Sequence, residues 1–194
     1  GSEMCIRDRS QYLSQGPEGK SQKYIKNSCV PEIYAGIDYK HKGLLIGAGI
    51  EMVSLTPRTQ ATVEDKIYKV SERITSLSYE VHMKYNSEKW LVAAKSVLGS
   101  NLTQTSMLGG YGIKSIDPRT GEQEYSPNRN SSSWINIVYG KTWKPAIFFG
   151  YMKNLGTSDA VTNMYGTGKN VDQLLSGTAE LTYNCLLYTS PSPR

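Results

Sequence analysis

No stretch of this sequence approaches the eighteen or more uninterrupted apolar residues of a membrane-spanning helix; the best runs are Leu44–Ile50 and Ala146–Gly150. Helical periodicity of useful length is also missing, which excludes coiled coils and helical membrane proteins. Phenylalanine and histidine occur twice each, against fourteen tyrosines and three tryptophans in 194 residues. The two histidines, His41 and His82, have no Cys or His partner at ligand spacing, so no metal or other cofactor is implied. Aromatics are too plentiful for a disordered chain. A formal net charge of +5 is too mild for a nucleic-acid footprint.

The two ends fail a test that needs only the genetic code. Ser2–Arg9 back-translates as TCG GAG ATG TGT ATA AGA GAC AG, and the reverse complement of that string, read from its second base, encodes Cys-Leu-Leu-Tyr-Thr-Ser-Pro. Those are residues Cys185–Pro191. One inverted DNA element accounts for both ends, and it resembles the adapter that a transposase attaches to fragments in sequencing libraries. Residues 1–9 and 185–194 are therefore read as adapter-derived artefact, leaving 10–184 as genuine protein and an internal piece of a longer chain. Cys5 and Cys185 leave with them, so Cys29 stands alone and no disulfide framework survives. Nineteen basic and fifteen acidic residues remain, net +4.

The genuine segment reads as strands. In Leu77–Tyr85, Leu77, Tyr79, Val81, Met83 and Tyr85 fall on one face, while Ser78, Glu80, His82 and Lys84 fall on the other. Strict alternation over nine residues marks a strand with two unlike faces. Similar runs are 33–40, 44–55, 90–98, 133–139, 143–153 and, more weakly, 174–183, which makes seven strands. Their connections alternate. Residues 41–43, 86–89 and 140–142 are tight turns, whereas 56–73, 99–130 and 154–172 are long links. This alternation predicts an all-β fold: an antiparallel up-and-down transmembrane β-barrel fragment, with short periplasmic turns and long outer loops. Residues 10–32 read as the tail of an earlier outer loop.

Aromatics supply an independent signal. Tyr39 precedes the first tight turn, Tyr85 and Trp90 bracket the second, and Tyr139 and Trp143 bracket the third. Such rings collect at a membrane interface, where the body meets hydrocarbon and the tip meets water. The face of Ile37, Ile46, Val81, Ile135 and Phe149 is then expected to meet outer-membrane lipid and to carry no charge. Asp38, Lys40, Glu51, Glu80, His82, Lys84, Lys95 and Asn136 are the expected pore-lining residues, mixed in sign as suits a water-filled lumen. In the loop 99–130, Lys114, Asp117, Arg119, Glu122, Glu124 and Arg129 would form a mixed electrostatic constriction if the loop folds inward. A solvated surface loop is the alternative.

No catalytic constellation is present. Gly140-Lys141-Thr142 lacks the first glycine of a phosphate loop, and a turn replaces its helix. Nothing in the sequence brings Glu51 and Glu80 together as an acid–base pair. The chain is read as a non-enzyme.

Three segments carry a family resemblance: Gly47–Arg58, Asn101–Gly112 and Phe149–Gly156. They resemble the porin-like outer-membrane barrels of Bacteroidota, related to the DcaP-like trimeric channels. The resemblance spans most of residues 32–184. It implies a larger barrel that passes small hydrophilic solutes, with a homotrimer as its assembly; DcaP-like members are associated with negatively charged solutes. The leading expectation is thus a passive diffusion channel in a bacterial outer membrane. The rivals are a non-conducting barrel that binds a ligand through its outer loops, and a secreted β-sandwich that binds carbohydrate with Trp90, Trp134 or Trp143.

Overall fold

The computed structural model describes residues 13–105, 107–167 and 169–184. The segments read as adapter, 1–9 and 185–194, lie outside the described residues. The chain is all-β, built from antiparallel strands with one short helix. In order these are α1 (Lys23–Ser28), β1 (Ile33–His41), β2 (Leu44–Leu55), β3 (Gln60–Val63), β4 (Lys66–Lys69), β5 (Ile74–Asn86), β6 (Trp90–Ser100), a 3₁₀ turn (Leu102–Thr105), β7 (Tyr111–Ile116), β8 (Gln123–Tyr139), β9 (Trp143–Thr157), β10 (Met164–Tyr165) and β11 (Gln173–Tyr183).

Seven of these strands pair in the order β1-β2-β5-β6-β8-β9-β11. They correspond one for one to the seven alternating runs of the sequence. Among the described residues β1 and β11 each pair on one side, so the sheet ends in two open edges. The four additional strands all lie in the long links. β3 and β4 form a separate hairpin between β2 and β5, while β7 and β10 extend the sheet beside β8.

The tight turns fold as their residues dictate. Lys42 and Gly43 both have positive φ, at 42° and 82°, which gives the two-residue turn whose twist matches the flanking strands. Glu64 and Asp65 repeat that geometry between β3 and β4. The turns also line up side by side: Asn86 N–H donates to Gly43 O and Gly140 N–H to Lys89 O, both at 2.8 Å. One end of the sheet is therefore a straight edge of turns and the other an assembly of loops.

The buried core sits at the loop end. Tyr24, Val53, Leu55, Ile74 and Tyr111 form one cluster, flanked by Ile25, Tyr125 and Tyr165. Residues 13–32 are thus no loose tail. Tyr24 of α1 is fully buried, and its carbonyl accepts from Thr56 N–H at 2.9 Å. The sequence signal missed this because a six-residue helix is too short to show a period. Tyr111→Ala should cost about 3–5 kcal/mol by cavity formation. Hydrogen exchange should register that loss in residues 13–32 and 107–127, with the strands near the tight turns unaffected.

Candidate functional site

The register sorts the seven strands into two unlike faces. One row of partners runs Tyr39, Ile46, Met83, Ala94, Ile135, Phe149, and the next toward the loops runs Ile37, Ala48, Val81, Ser96, Ser133, Tyr151. This face is apolar and in large part exposed: Ile37, Val81 and Ile147 are 76%, 57% and 63% accessible. The expectation that it carries no charge fails at its loop-side rim, where Lys153 pairs with Ser131 beside Leu98. The alternation of β9 carries one residue beyond the apolar run, so the last side chain of that face is a lysine.

At the turn end of the same face the predicted interface aromatics gather. Trp90 and Tyr139 pack with ring centroids 4.6 Å apart, Trp143 and Tyr183 likewise at 4.6 Å, and Tyr39 stacks on His41 at 6.4 Å. Tyr85 lies in the adjacent row, opposite Val92. Tyr183 was not among the sequence candidates because β11 was the weakest run. The three tryptophans do not form one platform: Trp134 pairs with Lys95 on the opposite face from Trp90 and Trp143.

The opposite face holds the polar candidates. Asp38, Gly47, His82, Lys95 and Trp134 form one row. Toward the loops the next contains Gly36, Gly49, Glu80 and Val97, and toward the turns lie Lys40, Leu45, Lys84, Ala93 and Asn136. Four of the eight predicted residues make direct contact. His82 Nε2 is 3.1 Å from Asp38 Oδ1, His82 Nδ1 is 3.8 Å from Glu80 Oε1, and Lys95 forms an ion pair with Glu80. Tyr34 donates its hydroxyl to Glu80 Oε1 at 2.6 Å.

Glycines make this network geometrically possible. A Cβ on Gly47 would overlap Asp38 and His82, and one on Gly36 or Gly49 would overlap the Tyr34 ring. Long side chains can therefore lie flat across β1, β2 and β5 where a side chain would otherwise stand. Tyr34 shares the parity of Asp38 and Lys40 and joins this face through a contact forty-six residues distant, which no local period shows. Glu51 lies beside Tyr34 and Ser78 one row further toward the loops.

The loop candidates lie elsewhere. Lys114 pairs with Asp159 at 3.2 Å, Ser115 donates to Glu124 at 3.0 Å, and Asp117 accepts from Arg119 N–H at 2.9 Å. Arg119 N–H holds the Asp117 carboxyl below its ordinary pKa. Glu122 accepts from Ser71 N–H at 3.1 Å, and Arg129 sits opposite Ser100. Of these charges Lys114, Asp117, Glu122 and Glu124 border a cleft of about 650 Å³ with Glu72 and Arg73.

What folds back onto the polar face is a different part of the same link. Asn128 accepts from Asn101 N–H at 3.0 Å and donates to Gly110 O at 2.8 Å, so β6 and β7 flank the same edge of β8. Residues 102–105 and 107–109 leave that edge, and Leu102 packs over Gly99 and Ser78. Beneath them Asn101, Asn128 and Asn130 are at most 1% exposed, and Asn130 donates to Leu108 O.

A buried carboxylate ties the outer links together. Glu72, 2% exposed, accepts from Arg58 Nε at 3.0 Å, from Gln123 N–H at 2.8 Å and from the Tyr125 hydroxyl at 2.5 Å. Arg58 also donates to Gly121 O at 2.7 Å. The carboxylate raises the Arg58 pKa further above its already high value. Burial, and then the bond to Glu72, push the Tyr125 phenol well above its ordinary range; burial does the same for Tyr111.

No protein-family model, curated protein or solved structure matches this chain.

Two predictions follow from the loop end. Glu72→Gln leaves Arg58 facing a neutral amide and should destabilise the packed links by about 3 kcal/mol or more, read by hydrogen exchange at Gly121–Tyr125. Tyr111 and Tyr125 have folded pKa values above the unfolded value of about 10. Their neutral forms therefore add stability that is complete below that value and is lost as pH rises through the folded values. Alkaline difference absorbance should show the exposed tyrosines ionising first and these two only with unfolding.

Proposed function

We propose that residues 33–183 are seven consecutive strands of a larger, closed β-barrel in a bacterial outer membrane, and that this barrel is a porin-like channel for passive diffusion of small hydrophilic solutes. One observation carries the reading: across seven paired strands most of the exposed large apolar side chains share one face, with Leu174 an exception, while Asp38, Glu80, His82 and Lys95 share the other. Water-soluble proteins rarely leave an apolar patch of this extent uncovered. Hydrocarbon accepts it, and the unsatisfied edges of β1 and β11 would be met by further strands. The aromatics Tyr39, Tyr85, Trp90, Tyr139, Trp143 and Tyr183, in successive rows at the turn end, fit a membrane boundary, and strands of nine or more residues fit a tilted crossing of about 25 Å. The family resemblance adds a homotrimer as the assembly to examine.

A non-conducting barrel is the second reading, favoured by one feature. Leu102 and its neighbours lie over the loop end of the polar face, where they narrow whatever passage runs there. Trp134, on the face opposite Trp90 and Trp143, counts against a carbohydrate-binding platform.

Two measurements test the proposal. Unboiled full-length protein from outer-membrane extract should migrate differently from boiled protein on a denaturing gel; a soluble protein with no shift would refute the barrel. In planar bilayers under a salt gradient, Glu80→Gln should move the reversal potential toward anion selectivity and Lys84→Gln toward cation selectivity. Unchanged potentials in both variants would remove these side chains from the conduction path, and absent conductance would favour the second reading.

A further inference from the structure

Each of the three tight turns carries one lysine: Lys42, Lys89 and Lys141. Lys89 immediately precedes Trp90, Lys141 comes two residues before Trp143, and Lys42 comes three after Tyr39. The backbone bonds from Asn86 to Gly43 and from Gly140 to Lys89 set the turns edge to edge, so the three lysines form a row just beyond the aromatic row. Within these turns the one acid is Glu88, bound to Lys141 at 2.9 Å with both side chains more than half exposed. Such a pair is weak and exchanges readily for another anion. The loop end, in contrast, carries both signs: Lys114 beside Asp159, Arg58 beside Glu72.

A row of rings followed by a row of ammonium groups reproduces the order of layers in a bilayer leaflet, where the hydrocarbon boundary is followed by headgroup phosphates. We infer that the tight-turn end docks on anionic phospholipid headgroups of the leaflet it faces, through Lys42, Lys89 and Lys141 beneath the aromatic row. The inference rests on the barrel reading above and adds its lipid partner. A free anion is the competing occupant. Lys89, Lys141 and Lys144 also border a cleft of about 340 Å³ between the second and third turns, which Leu91 and Val138 place toward the polar face.

The test uses full-length protein reconstituted in phosphatidylcholine vesicles with and without phosphatidylglycerol, with spin-labelled lipids reporting association at the protein surface. Phosphatidylglycerol should be preferred over phosphatidylcholine by up to about fivefold per lysine engaged, and raised salt should erode the preference. The triple variant Lys42→Gln, Lys89→Gln, Lys141→Gln should lose most of it, and the triple arginine variant should keep it. Equal association of both lipids with the unmodified protein would overturn the proposal, as would a preference that survives the glutamine variant. Displacement of phosphatidylglycerol by millimolar inorganic phosphate at constant ionic strength would overturn it in favour of a soluble-anion site. The boiled and unboiled gel is run on the same preparations: a missing shift in the unmodified protein defeats the barrel itself, whereas a retained shift with no lipid preference defeats the docking alone.

Discussion

Cross-strand register is the constraint on which the rest of this structure depends. Side chains alternate with a period of two, so a slip of one residue in any ladder would carry Ile46 or Val81 to the face of Asp38 and Glu80. The ladders from β1 to β6, and from β6 to β8, run without interruption. Among the described ladders the register shifts between Arg129 and Asn130, opposite β9 and close to the rim where Lys153 ends the apolar row, and again in the β7–β8 pairing between Ile113 and Ser115. Short turns enforce this register, because a two-residue turn such as Lys42-Gly43 leaves no slack for an alternative pairing.

The consequence is an unusual distribution of burial. Both faces of the sheet are largely accessible near the tight turns, and the compact core lies among the links at the loop end. There Tyr24 comes from ahead of β1, Val53 and Leu55 from β2, Ile74 from β5 and Tyr111 from β7. Residues distant in sequence meet because β2 and β5 run on past the apolar band, presenting large side chains on the face that carries Glu51 and Glu80 lower down. The Glu72 carboxylate then joins the links by charge-assisted bonds that would be costly to leave half made. The loops are in this sense a folded layer in their own right.

On the polar face, small residues and charge pairing work together. Gly36, Gly47 and Gly49 give up side-chain volume, and Tyr34, Asp38 and His82 occupy it. The ion pair with Lys95 removes much of the field of Glu80, whereas Lys40 and Lys84 flank Leu45 with no ion pair among the described residues. The electrostatic character of this face therefore follows from which charges find partners, and the formal count of each sign is a poor guide to it.

The seven strands, their order, the tight turns and most of the membership of each face, Lys153 and Tyr34 apart, were legible in the sequence, because each depends on a local period or a local backbone preference. Gly43 in its turn and the alternation in Leu77–Tyr85 needed no distant partner. Other features were not legible, for a common physical reason. The ten residues Gln123–Ser132 lack alternation, and they become strand because β7 and β9 supply backbone partners and the links cover Ser126, Asn128 and Asn130. The Tyr34–Glu80 bond joins positions forty-six residues apart, and the Arg58–Glu72–Tyr125 node joins two separate links. Periodicity determined which side of the sheet each residue would occupy. Only the tertiary structure decided which of those residues would touch, since contact depends on the register between strands and on where a missing side chain leaves room.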